Sequence, residues 1–368
     1  MLCYNTHHFQ VSGDDHFEKT VALSRGVAVG SLVMPRKPEV DERLRQVLKV
    51  AHMFYEREMT KTDIAHEIQA STTQVARLLA EARELGFVRI EFSPPKLHEL
   101  GERLKGRFGW LREAVIISYA DDLGFLRRMI GVAAAQYFET QVTAGTTVAL
   151  GGGDTMYEMV MGLPQKARDI RLVPTAIIDS GPVLTHIDPT VLVTILWVRN
   201  GRQPGRAHFA TGLPFHKSLP RQQVRGEYEE FCRRQAVKEV LAEMRRADFL
   251  FSSLGCLRAD QDYEKLAPRP HRSLLENLRL TAEKLTKEGA VGDINYSFFN
   301  AEGNTIPDWN VFPSLGTEEV RKMVQAGKIV VVAAGKYKLP ALKAALKGRL
   351  FNVLITDEEA ARELIDSD

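Results

Sequence analysis

The sequence predicts an α/β chain in two parts: a small helical head closed by a β-wing, and a larger domain built on a mainly parallel sheet. Three observations carry this expectation. Three short helical periodicities with capping residues run from Asp41 to Gly86, and a run with period-two alternation follows at once. Beyond residue 110, short β-branched runs alternate with amphipathic helices, the pattern of a parallel α/β sheet. At roughly 100–200 residues per domain, a chain of 368 residues has room for two or three folded units.

Residues 1–40 show no sustained periodicity, and Pro35 and Pro38 resist helix, so a loose extension is expected there. From Asp41, the residues Leu44, Val47, Leu48, Ala51 and Phe54 recur at three- and four-residue steps and place one apolar face on a first helix of about four turns. Thr60-Lys61-Thr62-Asp63 opens a second helix in the manner of a capping box, with Ile64, Ala65 and Ile68 as its buried stripe. Ser71 caps a third, on which Val75, Leu78, Leu79, Ala82 and Leu85 lie at helical spacing before Gly86 supplies the stop. Val88 to Phe92 alternates apolar and polar residues as a half-buried wing strand does.

Pro94-Pro95 breaks that strand. Leu97, Leu100, Leu104 and Phe108 then step along one side of a charged helix, so residues 93–109 read as a linker whose stripe pairs with a second subunit. In the remaining domain, residues 110–368, strands are expected at Val115–Ile117, Thr147–Leu150, Asp248–Phe251, Ile329–Ala334 and Val353–Ile355.

Composition narrows the function classes. With 44% apolar and 26% charged residues, and a mean hydropathy of −0.19, the chain has the make-up of a globular protein rather than a disordered or fibrous one. No apolar run approaches the roughly 18–20 residues of a membrane span, and Asp14, Asp15 and Glu18 interrupt the place where a signal peptide needs its apolar core. Three cysteines at long spacings suit a reducing compartment, so a cytoplasmic location without a membrane partner is expected. The net charge of +2 excludes a global polycation, leaving nucleic-acid binding to local placement.

Local placement is what the second and third helices offer. A short helix, a tight turn and a helix whose first turn carries Ser71, Thr72, Thr73 and Gln74 form the layout of a helix-turn-helix, in which those residues meet base edges. Gln74 matches adenine bidentately, the hydroxyls suit bases or phosphates, and Arg77, about one turn on, suits a phosphate or a guanine. A helical bundle with a polar exposed face is the plain alternative. Residues 41–92 hold eight Arg and Lys against nine Asp and Glu. Such a near-neutral unit must rely on a few aimed contacts and on two or more copies acting together.

The same residues carry a resemblance. Phe54-Tyr55-Glu56, Lys61-Thr62-Asp63-Ile64-Ala65, Gln74-Val75-Ala76-Arg77-Leu78-Leu79 and Gly86-Phe87-Val88-Arg89-Ile90 are similar to the N-terminal domain of SorC/DeoR-type sugar-binding transcriptional regulators. Arg107-Phe108-Gly109 with Leu111 to Val115, Asp188-Pro189, Gly289 to Ile294, and Asn352 to Asp357 continue the likeness in the family's order over about residues 40–368. The resemblance implies a winged helix-turn-helix joined to an effector domain built like sugar-phosphate isomerases and deaminases. It also implies operator DNA and a sugar or sugar phosphate as partners, and control of operator binding by the effector in a homodimer or homotetramer. The extension 1–40 lies outside it.

Candidate effector residues follow. Gly151-Gly152-Gly153-Asp154-Thr155 is a glycine-rich turn between a strand and a helix, where glycines let a ligand approach the backbone and helix N–H groups attract anions. The resemblance assigns this loop to the effector's phosphate, with Thr155 as the hydroxyl. Asp154 departs from that assignment: a carboxylate beside a phosphate repels it unless a cation or hydrogen bonds intervene, and it can instead accept from sugar hydroxyls, so a phosphorylated, a non-phosphorylated and a differently oriented ligand all stay open. A plain tight turn is the alternative.

By the same resemblance Asp293 binds a sugar hydroxyl and Lys338 reaches the ligand, with Lys336 a rival. A turn aspartate and a solvated surface lysine are the plain alternatives. Gly255 and Cys256 form a further wall. Cys256 has no partnered base and is not read as a nucleophile.

No metal or cofactor is expected. The cluster His7, His8 and His16 is weak, and His186, His208 and His216 lack ligand spacing. Trp110 and Trp197 read as packing. The alternative from another class is a sugar-phosphate isomerase- or deaminase-like enzyme with Asp293 as general base.

Overall fold

The computed structural model describes residues 37–88, 93–118, 121–178, 187–208, 221–258, 281–306 and 313–367. The chain divides into two compact units, Met1–Ile90 and Glu91–Asp368.

In the smaller unit α1 (Lys37–Tyr55), α2 (Lys61–Glu67) and α3 (Thr72–Glu84) pack around one apolar cluster. α1 begins at Lys37 rather than at the expected Asp41, because Pro38 falls in its first turn, where a missing N–H breaks no helical bond. Its buried face is Val47, Val50, Ala51, Met53 and partly Phe54. Leu48, expected in that stripe, is 47% exposed, since the phase set by Val47, Val50 and Phe54 turns it outward.

Both helix caps form as the sequence requires. The Thr60 hydroxyl accepts from the Asp63 N–H at 3.2 Å and donates to the Asp63 carboxylate at 2.6 Å. The Ser71 hydroxyl accepts from the Gln74 N–H at 3.1 Å. Gln69, in the turn between α2 and α3, adopts a left-handed φ of 52°, and Gly86 ends the unit's last helical turn at 73°. Phe87 and Val88 form a bend, and 89–92, the rest of the expected wing, lies outside the described residues.

The larger unit opens with α4 (His98–Arg107), β1 (Glu113–Ile117), α5 (Leu123–Gln141), β2 (Thr147–Leu150), α6 (Asp154–Gly162) and β3 (Arg171–Pro174). β4 (Phe249–Ser252), β5 (Leu254–Cys256), β6 (Ala290–Ile294), β7 (Ser297–Asn300), β8 (Lys328–Val332) and β9 (Val353–Asp357) follow, with further helices between. Six strands form one sheet in the order β1-β9-β8-β4-β2-β3, every pair parallel. β5, β6 and β7 form a small antiparallel sheet.

Both faces of the parallel sheet are covered. Ala149, Leu250, Ile329 and Val331 belong to one apolar cluster, and Val148, Leu150, Phe251, Val330 and Val332 to the other. This double burial is why these strands read as continuous apolar runs.

The helix within 93–109 belongs to this larger unit. The Leu97 N–H donates to the Ile116 carbonyl at 2.8 Å, and Leu100 and Leu104 lie in the sheet's core cluster. A side chain at Gly101 would meet the Ala114 carbonyl at 2.5 Å, so the helix lies directly on β1. The stripe expected to meet a second subunit is thus largely covered by the chain itself.

The Asn352–Asp357 segment has a structural use throughout. Asn352 accepts from the Ile329 N–H and donates to the Val324 and Gly327 carbonyls, tying the start of β9 to β8. Thr356 donates to the Ala333 carbonyl at 2.8 Å. At the far end, Asp357 is fully buried and accepts from the Gly335 N–H at 2.7 Å and the Ala360 N–H at 2.9 Å.

Candidate functional site

The two units each carry one candidate surface. On the smaller unit, Val75, Leu78, Leu79 and Ala82 anchor α3, leaving its opposite face to solvent. Ser71, Thr72, Thr73, Gln74 and Arg77 are all exposed on that face. The Ser71 oxygen is already used as the cap of α3, so its hydroxyl proton is what it has left to offer a phosphate. Among the described residues the side chains of Thr72, Thr73, Gln74 and Arg77 have no partner. A helix N-terminus presenting amide, hydroxyl and guanidinium groups to water is chemically equipped for base edges and phosphates.

On the larger unit the candidate cleft lies where β2 and β4 end. Open α/β sheets bind ligands at the carboxyl ends of their strands. Gly151 to Gly153 leave β2, and α6 starts at Asp154 with no side-chain cap.

The structure gives each glycine a packing reason that the sequence did not reveal. A Cβ at Gly151 would meet the Ser252 hydroxyl at 2.5 Å. At Gly152 it would overlap the Tyr296 hydroxyl and meet the Ile187 carbonyl oxygen at 2.7 Å. Gly153 has a φ of 108° and takes the Ser253 hydroxyl beside it. The loop's N–H groups are partly committed as well, Gly151 to the Phe251 carbonyl at 2.7 Å and Gly153 to that of Ile187 at 3.0 Å. Asp154 is half-buried and Thr155 buried.

The small antiparallel sheet brings the other candidates to this loop. Gly255 on β5 lies opposite Asp293 on β6, and Asp293 is buried. Asn295 and Tyr296 make the two-residue turn into β7 with φ values of 52° and 63°, a tight turn for which glycine is the usual residue. Asn295 is held there by the Ser252 hydroxyl at 2.9 Å. The phenol of Tyr296 reaches Gly152. Burial, and then the charges of Asp188 and Asp293, push its pKa well above the ordinary tyrosine value. Asp188 itself caps the helix Pro189–Arg199, accepting from the Thr190 N–H at 2.7 Å.

Lys338 and Lys336 separate cleanly. Lys336 is half-exposed and pairs with Glu359. Lys338 is buried and donates to the Leu254 carbonyl, next to Gly255. Lys338 and Asp293 both act on Cys256, whose thiol burial pushes up in pKa. A protonated, enclosed thiol is a wall and not a nucleophile. Gly152, Tyr296, Asp293, Gly255, Cys256 and Lys338 therefore form one connected neighbourhood. It can offer one carboxylate acceptor, that of Asp293, and one ammonium to a polyhydroxylated ligand.

Sequence reasoning missed Tyr296, Asp188, Ser252 and Ser253. The signal for the first was the Asn-Tyr pair between two apolar runs, obscured because a tight hairpin ordinarily announces itself with glycine.

Among the described residues no group of His, Cys, Asp and Glu is placed to hold a metal ion. His7, His8, His16, His186 and His216 lie outside them. Trp110 packs edge-on to Phe351, and Trp197 donates to the Gln203 carbonyl at 2.8 Å.

The family model described as "Putative sugar-binding domain" matches residues 94–177 and 217–366, more than half of the chain. The chain belongs to this sugar-binding domain family of SorC/DeoR-type regulators. Two of its relatives are named as regulators. The Deoxyribonucleoside regulator of Bacillus subtilis (strain 168) is 25% identical over 332 residues, covering 88% of this chain and 98% of the relative. Transcriptional regulator LsrR of Enterobacter sp. (strain 638) is 27% identical over 323 residues, covering 87% and 92%.

Among solved structures, the full-length sorbitol operon regulator SorC from Klebsiella pneumoniae shares the fold. Its TM-score is 0.59 at 24% identity, over 89% of this chain and 100% of that one. In this SorC/DeoR-type chain the family match falls on the larger unit. Among the described residues, no helix is long and apolar enough to cross a membrane.

Proposed function

We propose that this chain is a transcriptional regulator in which the smaller unit reads operator DNA and the larger unit binds a sugar or sugar phosphate that alters that reading. The observation that carries the proposal is the exposed N-terminal face of α3, with Thr72, Thr73, Gln74 and Arg77 unengaged among the described residues, in a chain whose larger unit is the family's sugar-binding domain. Residues 41–92 make the DNA-contacting part, with Ser71 capping the reading helix. Gly151, Gly152, Gly153, Asp154, Thr155, Gly255, Asp293 and Lys338 line or shape the effector cleft.

The functional assembly is a homodimer or homotetramer. A near-neutral reading unit gains affinity by presenting two or more copies to DNA. The effector acts by binding one arrangement of subunits more tightly than another, since a ligand shifts an equilibrium only by its differential affinity.

No reaction is assigned. The relatives named as regulators support binding rather than turnover. The test is an operator titration of the full chain, wild type against Gln74→Ala with Arg77→Ala, with and without a sugar panel. Specific binding that the double variant loses and one sugar alters is the expected result. Turnover of a sugar phosphate by the full chain, abolished by Asp293→Asn, is the result that replaces this reading with an enzymatic one.

A further inference from the structure

A cleft of about 470 Å³ opens at the amino ends of β1, β8 and β9. Arg112 precedes β1, Gln325 precedes β8 and Asn352 precedes β9, whereas the glycine loop follows the carboxyl end of β2. β8 and β9 run five residues each, so roughly 15 Å of strand separates the two ends of the sheet. Small-molecule sites commonly measure about 300–1,000 Å³.

The walls of this cleft are pinned. Asn352, 1% exposed, donates to the Val324 and Gly327 carbonyls at 2.8 and 2.9 Å. Gly303 and Gly348 pack backbone to backbone, since a Cβ at Gly303 would meet the Gly348 Cα at 2.6 Å. Arg321 ties the same two segments together, donating to the Gly348 carbonyl at 2.8 Å, to the Gly303 carbonyl, and to the Asn304 side chain at 3.0 Å.

Its lining is cationic. Arg112, Arg321, Lys347 and Arg349 face a single lining carboxylate among the described residues, that of Glu302. Lys347 pairs with Glu302 at 2.5 Å and Arg321 with Glu318, which leaves Arg112 and Arg349 without a carboxylate among the described residues. Arg112 makes only long contacts, 3.4 and 3.5 Å to the Gln325 and Gly327 carbonyls. The helices Thr317–Ala326 and Leu339–Lys347 end here and bring about half a negative charge each. The two unpaired arginines outweigh them by about one charge.

Arg349 is exposed and holds a left-handed φ of 50° just past the helix Leu339–Lys347, where glycine is the usual residue. A long cationic side chain is kept there against local preference, an outlier that points toward a use. Trp110 is half-buried, edge-on to Phe108 and Phe351, and its indole N–H has no acceptor among the described residues. The free groups of the cleft are therefore donors. Two guanidinium forks and an indole N–H match the oxygens of a phosphoryl group.

We propose that this cleft is a second ligand site, which takes a small phosphorylated metabolite and holds its phosphoryl group through Arg112 and Arg349 beside Trp110. It is separate from the effector cleft and gives the chain a second small-molecule input.

The experiment is thermal melting and tryptophan-fluorescence titration of the full chain with inorganic phosphate, pyrophosphate, ribose 5-phosphate and glycerol 3-phosphate, with ribose and glycerol as uncharged controls. Each titration is repeated in Asp293→Asn, which keeps the effector cleft out of the result. At least one phosphorylated probe raises the melting temperature and changes the fluorescence, in wild type and in Asp293→Asn alike. Its affinity falls at least about tenfold in Arg349→Gly, a variant whose glycine suits the left-handed backbone and so preserves the fold. Arg112→Gln gives a loss in the same direction, and Trp110→Phe abolishes the fluorescence change while keeping the melting shift.

No response to any phosphorylated probe overturns the inference and leaves the regulator reading standing. A response that Arg349→Gly and Arg112→Gln both leave unchanged does the same. A response lost in Asp293→Asn and kept in Arg349→Gly assigns the phosphate to the effector cleft and overturns it too. Operator affinity that falls in Arg349→Gly, with no probe bound, gives these arginines to the DNA backbone in place of a metabolite.

Discussion

Ser71 and Gln74 sit three residues apart at the start of α3, yet the structure gives them separable tasks. The Ser71 oxygen closes the helix by accepting from the Gln74 N–H at 3.1 Å, whereas the Gln74 side chain is exposed and meets nothing among the described residues. Replacing Ser71 with alanine removes a cap worth about 1 kcal/mol. In hydrogen–deuterium exchange on the full chain, that loss raises the exchange of the α3 amides about fivefold where local opening controls it.

Gln74→Ala leaves this cap intact, and alanine is the better helix former, so exchange is unchanged or slower. Its cost falls on DNA instead. A lost bidentate base contact weakens specific binding by about 1–3 kcal/mol, roughly 5- to 150-fold. Ser71→Asp sharpens the separation, since aspartate caps as well as serine but sets a negative charge against phosphate. Its exchange stays at the wild-type level while DNA affinity falls and becomes less salt-sensitive, because salt screens the new repulsion. Unchanged operator affinity in Gln74→Ala, or unchanged α3 exchange in Ser71→Ala, refutes the division of labour.

The larger unit offers three further tests. Gly152→Ala places a methyl group 2.7 Å from the Ile187 backbone carbonyl, which has no rotamer with which to yield, so a loss of about 1–3 kcal/mol is expected in denaturant unfolding. Asp357→Ala strands the N–H groups of Gly335 and Ala360 in a buried setting, at about 1–3 kcal/mol each. Its melting temperature falls further than that of Asp357→Asn, which keeps an acceptor.

Tyr296 gives a pH dependence. Its pKa is raised above the ordinary 10.0 by burial, then by Asp188 and Asp293. The unfolded chain therefore releases the phenol proton first as pH rises. The stability this tyrosine contributes is complete below pH 10 and declines above it, and Tyr296→Phe, measured by unfolding across pH 8 to 11, makes that decline shallower.

The parts of the molecule that were legible in the sequence are those decided locally. The caps at Thr60 and Ser71, the stop at Gly86 and the apolar β2, β4, β8 and β9 each carry their cause within a few residues. β5 and β7 were not legible, because their pairing with β6 is set by tertiary contacts and not by a strong alternating pattern. The stripe of residues 93–109 was visible, but its partner was not, since periodicity says that a face is buried and never against what.

The same limit governed the glycine loop. Three glycines in a row announce a close approach, and only the structure reveals that Ser252, Ser253 and Tyr296 make it. Asn352 to Asp357, matched as a family segment, proved to be a set of backbone ties that hold β8 to β9.

The proposed coupling is that one chain reads DNA through α3 and has that reading changed by a small molecule bound at the carboxyl ends of its sheet. The most direct measurement is fluorescence anisotropy of the full chain on operator duplex, titrated with and without a saturating member of the sugar panel. Wild type is compared with Asp293→Asn and Gln74→Ala. One sugar is expected to shift operator affinity in wild type, while Asp293→Asn binds DNA normally and loses the shift, and Gln74→Ala loses affinity in both conditions. Operator affinity indifferent to every sugar, or a sugar shift that persists in Asp293→Asn, contradicts it.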